Sequence, residues 1–379
     1  MLRTSERRDF KRCPQRWWWG WREGLRLKGE ATESDALWFG TGIHLALAEW
    51  YCGPGLKRGP HPAETWAEYA GGQLRYIKTV AQEKGLTSGA DEMTVERFVE
   101  AQALGTAMCE GYVEKYGKDD SWHVIQPEVP FQIDIPDPWA SRPTVLGTYC
   151  GTYDGVYRDL LDDSLWLMEH KTAKAIFTNH LSLDDQAGSY WAVAAQTLAG
   201  QGKIARGEVL TGIMYNFLRK GAPDNRPRDA EGYATNKPTK EHFISALAEC
   251  GVISIRGKGI AKHSLATLVE EAEREGITVL GERSKAQPPQ LFERVPVYRT
   301  RAERRTQIQR IQRELDTMNA YRRGELELIK NPTRDCSWDC KFFDMCGLHE
   351  QGGDWKQFKK AVFKQQDPYT DHRKSAEES

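Results

Sequence analysis

The sequence predicts an α/β fold, and three observations carry that reading. Two β-type runs, Val145 to Tyr157 and Leu165 to Thr172, flank Asp162-Asp163-Ser164, a turn-forming cluster that implies an antiparallel hairpin. The second run reads Leu-Trp-Leu-Met before Glu169-His170-Lys171, apolar on both faces as a central strand is. Helix-length stretches at 59–84 and 91–117 precede the hairpin, and further strand-like runs at 207–220 and 291–298 follow it. At 379 residues the chain has room for two or three domains and a large core.

In chain order, residues 1–35 form an N-terminal arm dense in arginine and aromatic residues. Cys13 stands before Pro14, where a helix cannot continue unbroken; that suits a ligand held on a turn, although an ordinary buried cysteine is the plainer reading. Trp17, Trp18, Trp19 and Trp21 cannot share one helix face, so most are expected in the core and the rest are left for bases to stack on. Residues 36–220 are expected to hold the main core. Gly40 and Gly42 open a helical run carrying His44; a lone histidine there is most often structural, but the glycines allow a close backbone approach. The helices at 59–84 and 91–117, joined by a turn at Thr87-Ser-Gly-Ala, read as scaffold, and Val124 to Ile135 as one strand. Glu128 could approach a site but is not distinguished from a surface glutamate. After the hairpin, Ser182 and Asp185 have capping-box spacing, and a helix begun there sets Gln186 and Tyr190 one above the other.

Residues 221–290 read as an insertion, polar at first and helical around 241–249 and 265–275. Gly251 to Lys258 only superficially matches a P-loop, since Gly259 replaces the required Ser or Thr, so no ATPase motor is expected. Residues 291–379 supply a returning strand, an Arg-rich helix from Arg301 to Leu328, and Cys336, Cys340 and Cys346 in the pattern C-x3-C-x5-C. Three close-set thiols point to metal ligation and want a fourth ligand: His349 would complete a zinc site locally, and Cys13 an iron-sulfur site from the other terminus.

The formal net charge of −1 gives no global basic field. Locally, nine Lys or Arg fall in the first 28 residues and six Arg between Arg299 and Arg313, the footprint of phosphate contacts or of solvated helix faces. The absence of a membrane-length apolar run and of a signal-peptide core leads us to expect a soluble, cytoplasmic protein without membrane partners. In that reducing setting eight cysteines are better read for metal than for disulfides.

The chemistry concentrates at the hairpin. Glu169 and Lys171 point to one face of a buried strand, where an unpaired charge costs several kcal/mol on the order of its desolvation. Asp154, in Gly-Thr-Tyr-Asp-Gly, is placed to come beside Glu169, and two adjacent carboxylates repel unless a cation or proton lies between them. A hard divalent ion resolves the conflict; a buried Asp-Glu-Lys ion network in another kind of enzyme is the alternative.

Asp154 followed by Glu169-x-Lys171 across a hairpin resembles the core of the PD-(D/E)XK nuclease superfamily. With Cys13-Pro14, Gly40-x-x-x-His44, Gln186-x-x-x-Tyr190 and the three late cysteines in the same order, the chain resembles the RecB-like exonucleases that carry an iron-sulfur cluster. That branch includes the CRISPR-associated adaptation exonucleases, AddB-type nuclease domains and many phage-encoded relatives. The resemblance covers nearly the whole chain outside 221–290. It departs at Ala48, where the family often has an acidic residue and Glu49 comes one step late, and at the three-residue spacing between Cys336 and Cys340, where two is common.

The resemblance implies a restriction-endonuclease-like core, a mixed central sheet flanked by helices, with helical additions and a cluster joining the termini. It implies a Mg2+- or Mn2+-dependent deoxyribonuclease, expected to be an exonuclease preferring single strands or free ends, in recombination, repair or processing, with a helicase or recombination protein as partner. His44, Asp154, Glu169 and the backbone carbonyl of His170 would hold the divalent ions. Lys171 would position or deprotonate the attacking water, and Gln186 and Tyr190 would orient the strand. Cys13, Cys336, Cys340 and Cys346 would bind the cluster, expected to be of the four-iron kind. Two other readings are a DNA-end-binding subunit without catalysis, which would be expected to lack one of Asp154, Glu169 and Lys171, and a zinc-dependent RNA-binding protein built on the late cysteines and His349.

Overall fold

A computed structural model describes residues 1–28, 35–52, 57–83, 89–128 and 130–369; Thr87 and Ser88 of the expected turn lie outside them. The chain divides into one unit of residues 1–220 with 292–379 and a second of residues 221–291.

In the first unit, β1 (Leu2–Arg3) leads into α1 (Thr4–Arg12), which stops where Cys13 takes an extended conformation ahead of Pro14. That proline then opens α2 (Pro14–Trp17), because its missing N–H costs nothing at a helix start. A π turn at Trp18–Arg22 and β2 (Leu25–Leu27) follow. Trp17 and Trp19 are buried, and the indole N–H groups of Trp17 and Trp21 donate to Glu6 and Asp9 at 2.8 Å, so packing claims these tryptophans more than bases could. Next, α3 (Asp35–Tyr51), α4 (Pro62–Glu83) and α5 (Gly89–Tyr116) pack on one another. Gly42 and Gly105 permit close approach: a Cβ on Gly42 would lie 2.5 Å from the Tyr69 ring and 2.6 Å from Trp66, and one on Gly105 2.1 Å from Trp66.

The strand expected over 124–135 is two strands in different sheets, β3 (Trp122–Gln126) and β4 (Pro130–Pro136). The run from Val145 to Tyr157 is likewise divided, into β5 (Val145–Thr152) and β6 (Gly155–Asp159). Tyr153 anchors that break: its ring stacks on Phe131 at 4.3 Å and its hydroxyl meets Thr197 Oγ1 at 2.8 Å, so the chain changes sheets at Asp154. A turn with Asp163 at φ 61° joins β6 to β7 (Leu165–Ala173) in the expected antiparallel hairpin. The helix expected from a Ser182 cap starts later: Leu181–Leu183 is a 3-10 turn, and α6 (Asp185–Gly200) is capped by the Asp184 carboxylate, which accepts from the N–H groups of Gln186 (2.9 Å) and Ala187 (3.3 Å). β8 (Leu210–Arg219) runs parallel to β7, pairing Glu169 with Tyr215 and His170 with Asn216.

The second unit holds α7 (Lys240–Glu249), the two-residue strands β9 (Ser254–Ile255) and β10 (Lys258–Gly259), and α8 (Leu265–Arg274) around its own core of Phe243, Leu247, Ile255, Ile260 and Leu268. The stretch resembling a P-loop is part of the β9–β10 hairpin.

The chain re-enters the first unit with β11 (Phe292–Tyr298), antiparallel to β8. α9 (Arg301–Arg322) begins in a Thr300–Glu303 capping box and stops short of the expected Leu328, because Gly324 turns the chain at φ 73°. Then come α10 (Cys336–Asp339), α11 (Phe343–Glu350), α12 (Trp355–Val362) and β12 (Phe363–Gln365), which pairs with β2 and so joins the two ends of the chain.

The central sheet has the order β11-β8-β7-β6-β3, mixed because only the β7–β8 pair is parallel, and a three-stranded sheet β1-β5-β4 lies beside it. Odd-numbered residues of β7 and β8, among them Leu167, Ile213 and Tyr215, join the core built with Trp191 of α6 and Leu315 of α9. Even-numbered His170 and Asn216 meet α3 and α5. Among the described residues no helix is long and apolar enough to cross a membrane.

Candidate active site

Asp154 sits where β5 gives way to β6, and one backbone N–H and two side chains from other segments converge on it. The His170 N–H of β7 donates to its Oδ2 at 2.7 Å, and His44 Nδ1 of α3 lies 3.3 Å from its Oδ1. Glu128, between β3 and β4, completes a group with His44 and Asp154 whose ligand atoms all lie within 4.8 Å of one another. Burial alone would lower the His44 pKa, yet the Asp154 carboxylate raises it to about 9. The same pair works in reverse on Asp154: burial opposes its charge, and His44 holds it below the ordinary carboxylate range.

Glu169 and Lys171 share the other face of β7, with Lys171 Nζ donating to Glu169 Oε1 at 2.6 Å. Glu169 is only 3 % exposed, and burial followed by the Asp154 charge pushes it up to about 7. Burial would lower Lys171, but Glu169 raises it and keeps it cationic. These observations fit a divalent cation: His44, Glu128 and Asp154, whose ligand atoms lie within 4.8 Å of one another, form a donor set of carboxylate oxygens and one imidazole, and the Asp154 charge acts also on the buried Glu169.

His170 turns its ring to the opposite face. Asn216 Nδ2 lies 2.9 Å from its Nδ1 and donates 3.0 Å to the Tyr112 hydroxyl, which pairs at 2.7 Å with Tyr51; Tyr51 donates to Asp119 at 2.6 Å. Each tyrosine has one proton, so the chain of donors runs one way toward Asp119 and leaves His170 Nδ1 as an acceptor. Burial holds His170 down to about 3, so the ring is neutral. Its proton is then on Nε2, a buried atom without a hydrogen-bond partner among the described residues. Arg294 braces the chain, donating to Tyr51, Tyr112 and Asp119 at 2.9, 2.8 and 2.5 Å.

Gln186 is exposed and Tyr190 buried at one cavity near the start of α6. Tyr190 packs among Phe131, Tyr149 and Tyr153 at centroid distances of 5.4 to 6.3 Å, and a Cβ on Gly151 would lie 2.8 Å from its ring, so its role in the core is large. Glu49, set aside on sequence grounds, accepts from Thr65 Oγ1 at 2.8 Å and ties α3 to α4.

Far along the chain, Cys13, Cys336, Cys340 and Cys346 line one cavity of about 480 Å3 walled by Trp19, Phe342 and Phe343. Backbone N–H groups of Asn331 and Thr333 approach the sulfurs of Cys13 (3.5 Å) and Cys336 (3.3 Å), and the Thr333 N–H, with less from its hydroxyl and Arg12, holds Cys336 below the usual thiol range. His349 is engaged elsewhere: its Nδ1 pairs with Lys330 Nζ at 2.9 Å, and its ring packs against Trp19 and Trp355. Four thiols, Cys13 among them, thus share one large, partly apolar cavity with backbone donors aimed at sulfur, a lining with room for a multi-atom iron-sulfur cluster.

Sequence reasoning did not single out Glu128, Asn216 or the network of Tyr51, Tyr112, Asp119 and Arg294 behind His170. Asn216 carried a signal, a lone amide inside the otherwise apolar run Ile-Met-Tyr-Asn-Phe-Leu; Glu128 carried only its place between Pro127 and Pro130.

A family model described as the PD-(D/E)XK nuclease superfamily matches residues 4–347. No curated protein sequence matches the chain.

Proposed function

Because the chain belongs to the PD-(D/E)XK nuclease superfamily, and so to metal-dependent nucleases, we propose that it is a Mg2+- or Mn2+-dependent DNA exonuclease preferring single strands or free ends. The observation that carries this reading is the intact set of Asp154, Glu169 and Lys171 on and beside the central strand of a mixed sheet, with His44 and Glu128 drawn toward Asp154. A divalent ion held by His44, Asp154, Glu169 and the His170 carbonyl, with Glu128 in reach, would polarise the scissile phosphate and favour charge on its oxygens. Lys171, held cationic by Glu169, orients the attacking water at Nζ and offsets charge building on the phosphoryl oxygens. The buried side of β7, with its neutral His170 and the Asn216–Tyr112–Tyr51 chain, fixes the strand that carries both catalytic groups. An iron-sulfur cluster on Cys13, Cys336, Cys340 and Cys346 has a structural role, holding the N-terminal arm to the C-terminal segment. The setting is cytoplasmic DNA recombination, repair or processing, with a helicase or recombination protein as the partner that delivers free ends.

The test is cleavage of end-labelled single-stranded DNA, duplex DNA and RNA by protein purified without oxygen, with Mn2+ or with chelator. Wild type is expected to shorten single-stranded DNA from an end only with metal. Glu169→Gln and Lys171→Ala are each expected to cut about a thousandfold more slowly while still binding DNA. Wild-type turnover by Glu169→Gln would overturn the assignment.

A further inference from the structure

Most cations of the two basic clusters are already committed within the fold. Arg7 is buried on Glu314 and Asp185, Arg12 and Arg16 pair with Asp339, Arg299 donates to the carbonyls of Leu181 and Ser182, and Arg304 to that of Ala192. Arg8 is different: it is exposed and has no hydrogen-bond or ion-pair partner among the described residues. It lines a cavity of about 500 Å3, together with Arg3, Thr4, Ser5, Lys11 and Gln186, that lies between the first turn of α1 and the start of α6.

The charges of this cavity do not cancel. Its two carboxylates are spent on internal partners: Asp184 caps α6, and Asp185 is held by Arg7, Lys11 and Arg310. Among the described residues Arg8 remains unpaired, and the Nε of Arg3 is a buried donor without a hydrogen-bond partner. α1 adds the positive end of its dipole, for its N-cap is Arg3, which supplies no side-chain acceptor to the first-turn N–H groups, and the hydroxyl-bearing Thr4 and Ser5 open it. The Thr4 hydroxyl is held by Tyr149 at 2.6 Å, which leaves the Arg8 guanidinium, the Ser5 hydroxyl and first-turn N–H groups without a side-chain cap, a set that suits a tetrahedral oxyanion.

Its location says which oxyanion. Gln186 and Tyr190 line the cavity together with Gly151 and Thr152, the end of the strand β5 that leads to Asp154, so the cavity adjoins the candidate active site. We propose that this cavity is a phosphate-binding site, in which Arg8, Arg3 and the first turn of α1 hold a phosphate of the substrate strand next to the one that is cut. The proposal rests on the nuclease reading for its substrate. The same chemistry would accept a phosphodiester within the strand or a phosphate at its end.

The experiment measures binding of the full-length protein to fluorescent single-stranded oligonucleotides that end in a 5′-phosphate, a 3′-phosphate or hydroxyls only, without divalent metal and over a range of salt. Arg8→Ala is expected to weaken binding about tenfold and to lower the slope of log affinity against log salt by about one, the signature of one lost phosphate contact. Arg8→Lys, which restores charge without the planar fork, should recover part of the affinity. A terminal site shows as a wild-type preference for one phosphorylated end that Arg8→Ala abolishes; an internal site shows as equal losses on all three oligonucleotides. Arg8 is exposed, so an unchanged melting temperature will exclude misfolding. Wild-type affinity and salt slope in Arg8→Ala, or no binding by wild type, overturns the proposal. Parallel cleavage assays with Mn2+ separate it from the nuclease reading: Arg8-dependent binding without cleavage sinks only that reading, and cleavage with Arg8-independent binding sinks only this site.

Discussion

At the scale of single residues, Asp154 is the point around which the candidate site is assembled, and Glu128 is its least expected neighbour. An exposed glutamate ordinarily stays in water, but here its carboxylate lies within 4.8 Å of ligand atoms of His44 and Asp154, where it adds to repulsion unless a cation is shared. Glu128→Ala is therefore expected to leave the fold intact and to weaken Mn2+ binding about tenfold, or about 1.4 kcal/mol, by titration calorimetry. Wild-type Mn2+ affinity in that variant would reduce Glu128 to a surface residue. The contrast with Asp154, Glu169 and Lys171 explains what was legible. Those three are charges in or beside an apolar strand, an expensive placement that a sequence displays openly; Glu128 lies in a loop, where an acid costs nothing and so signals nothing. Asn216 was legible in the same way as Glu169, as a polar group in a buried strand, but its partners Tyr112 and His170 come from distant segments and only the fold brings them together.

At the scale of elements, periodicity identified helices and strands but not where a strand changes sheets. Alternation continues through Tyr153 because a buried residue is apolar whichever sheet owns it, so the break between β5 and β6 left no mark beyond Gly151 and Gly155. Similarly, Ser182 and Asp184 are both good caps, and the choice fell to Asp184 because Leu181 is drawn into the core and winds the preceding turn. The terminal elements are a different case: spacing left Cys13 and His349 both open as a partner of the late cysteines, the family resemblance pointed to Cys13, and in the fold Cys13 and the late cysteines share a cavity while β2 pairs with β12. If a cluster closes this 323-residue separation between Cys13 and Cys336, its loss removes a constraint on the order of 5 kcal/mol in the chain-entropy estimate, part of which the β2–β12 pairing retains. Cys13→Ser is expected to bleach anaerobically purified protein and to speed proteolysis of both terminal segments, whereas His349→Ala, acting on a residue paired with Lys330, should leave colour and iron content unchanged. A colourless wild type that binds zinc and loses it on His349→Ala would sink the cluster assignment.

At the scale of the whole molecule, the chain reads as a nuclease unit interrupted by a second unit, and the point of interruption bears on how independent the two are. β8 and β11 are antiparallel neighbours whose register pairs Leu218 with Phe292, so the chain leaves and re-enters the sheet at adjacent positions. The second unit has its own apolar core in Phe243, Leu247 and Leu268, and none of the residues that converge on Asp154 belongs to it. Two adjacent antiparallel strand ends can be closed by a short Asn-Gly turn, which matches the twist of the strands and replaces a long loop closure by a local one. Replacing residues 221–291 with such a turn is therefore expected to give a folded protein whose melting temperature lies within about 5 °C of wild type, since the central sheet and both helical layers remain whole. The shortened chain should retain Mn2+ binding and, if the second unit does not handle the substrate, cleavage within about threefold of wild type. Circular dichroism melts and end-labelled cleavage assays check both expectations. Failure to fold would mean that the β8–β11 pair depends on the second unit for its register; normal folding and metal binding with cleavage lost would assign residues 221–291 to substrate handling.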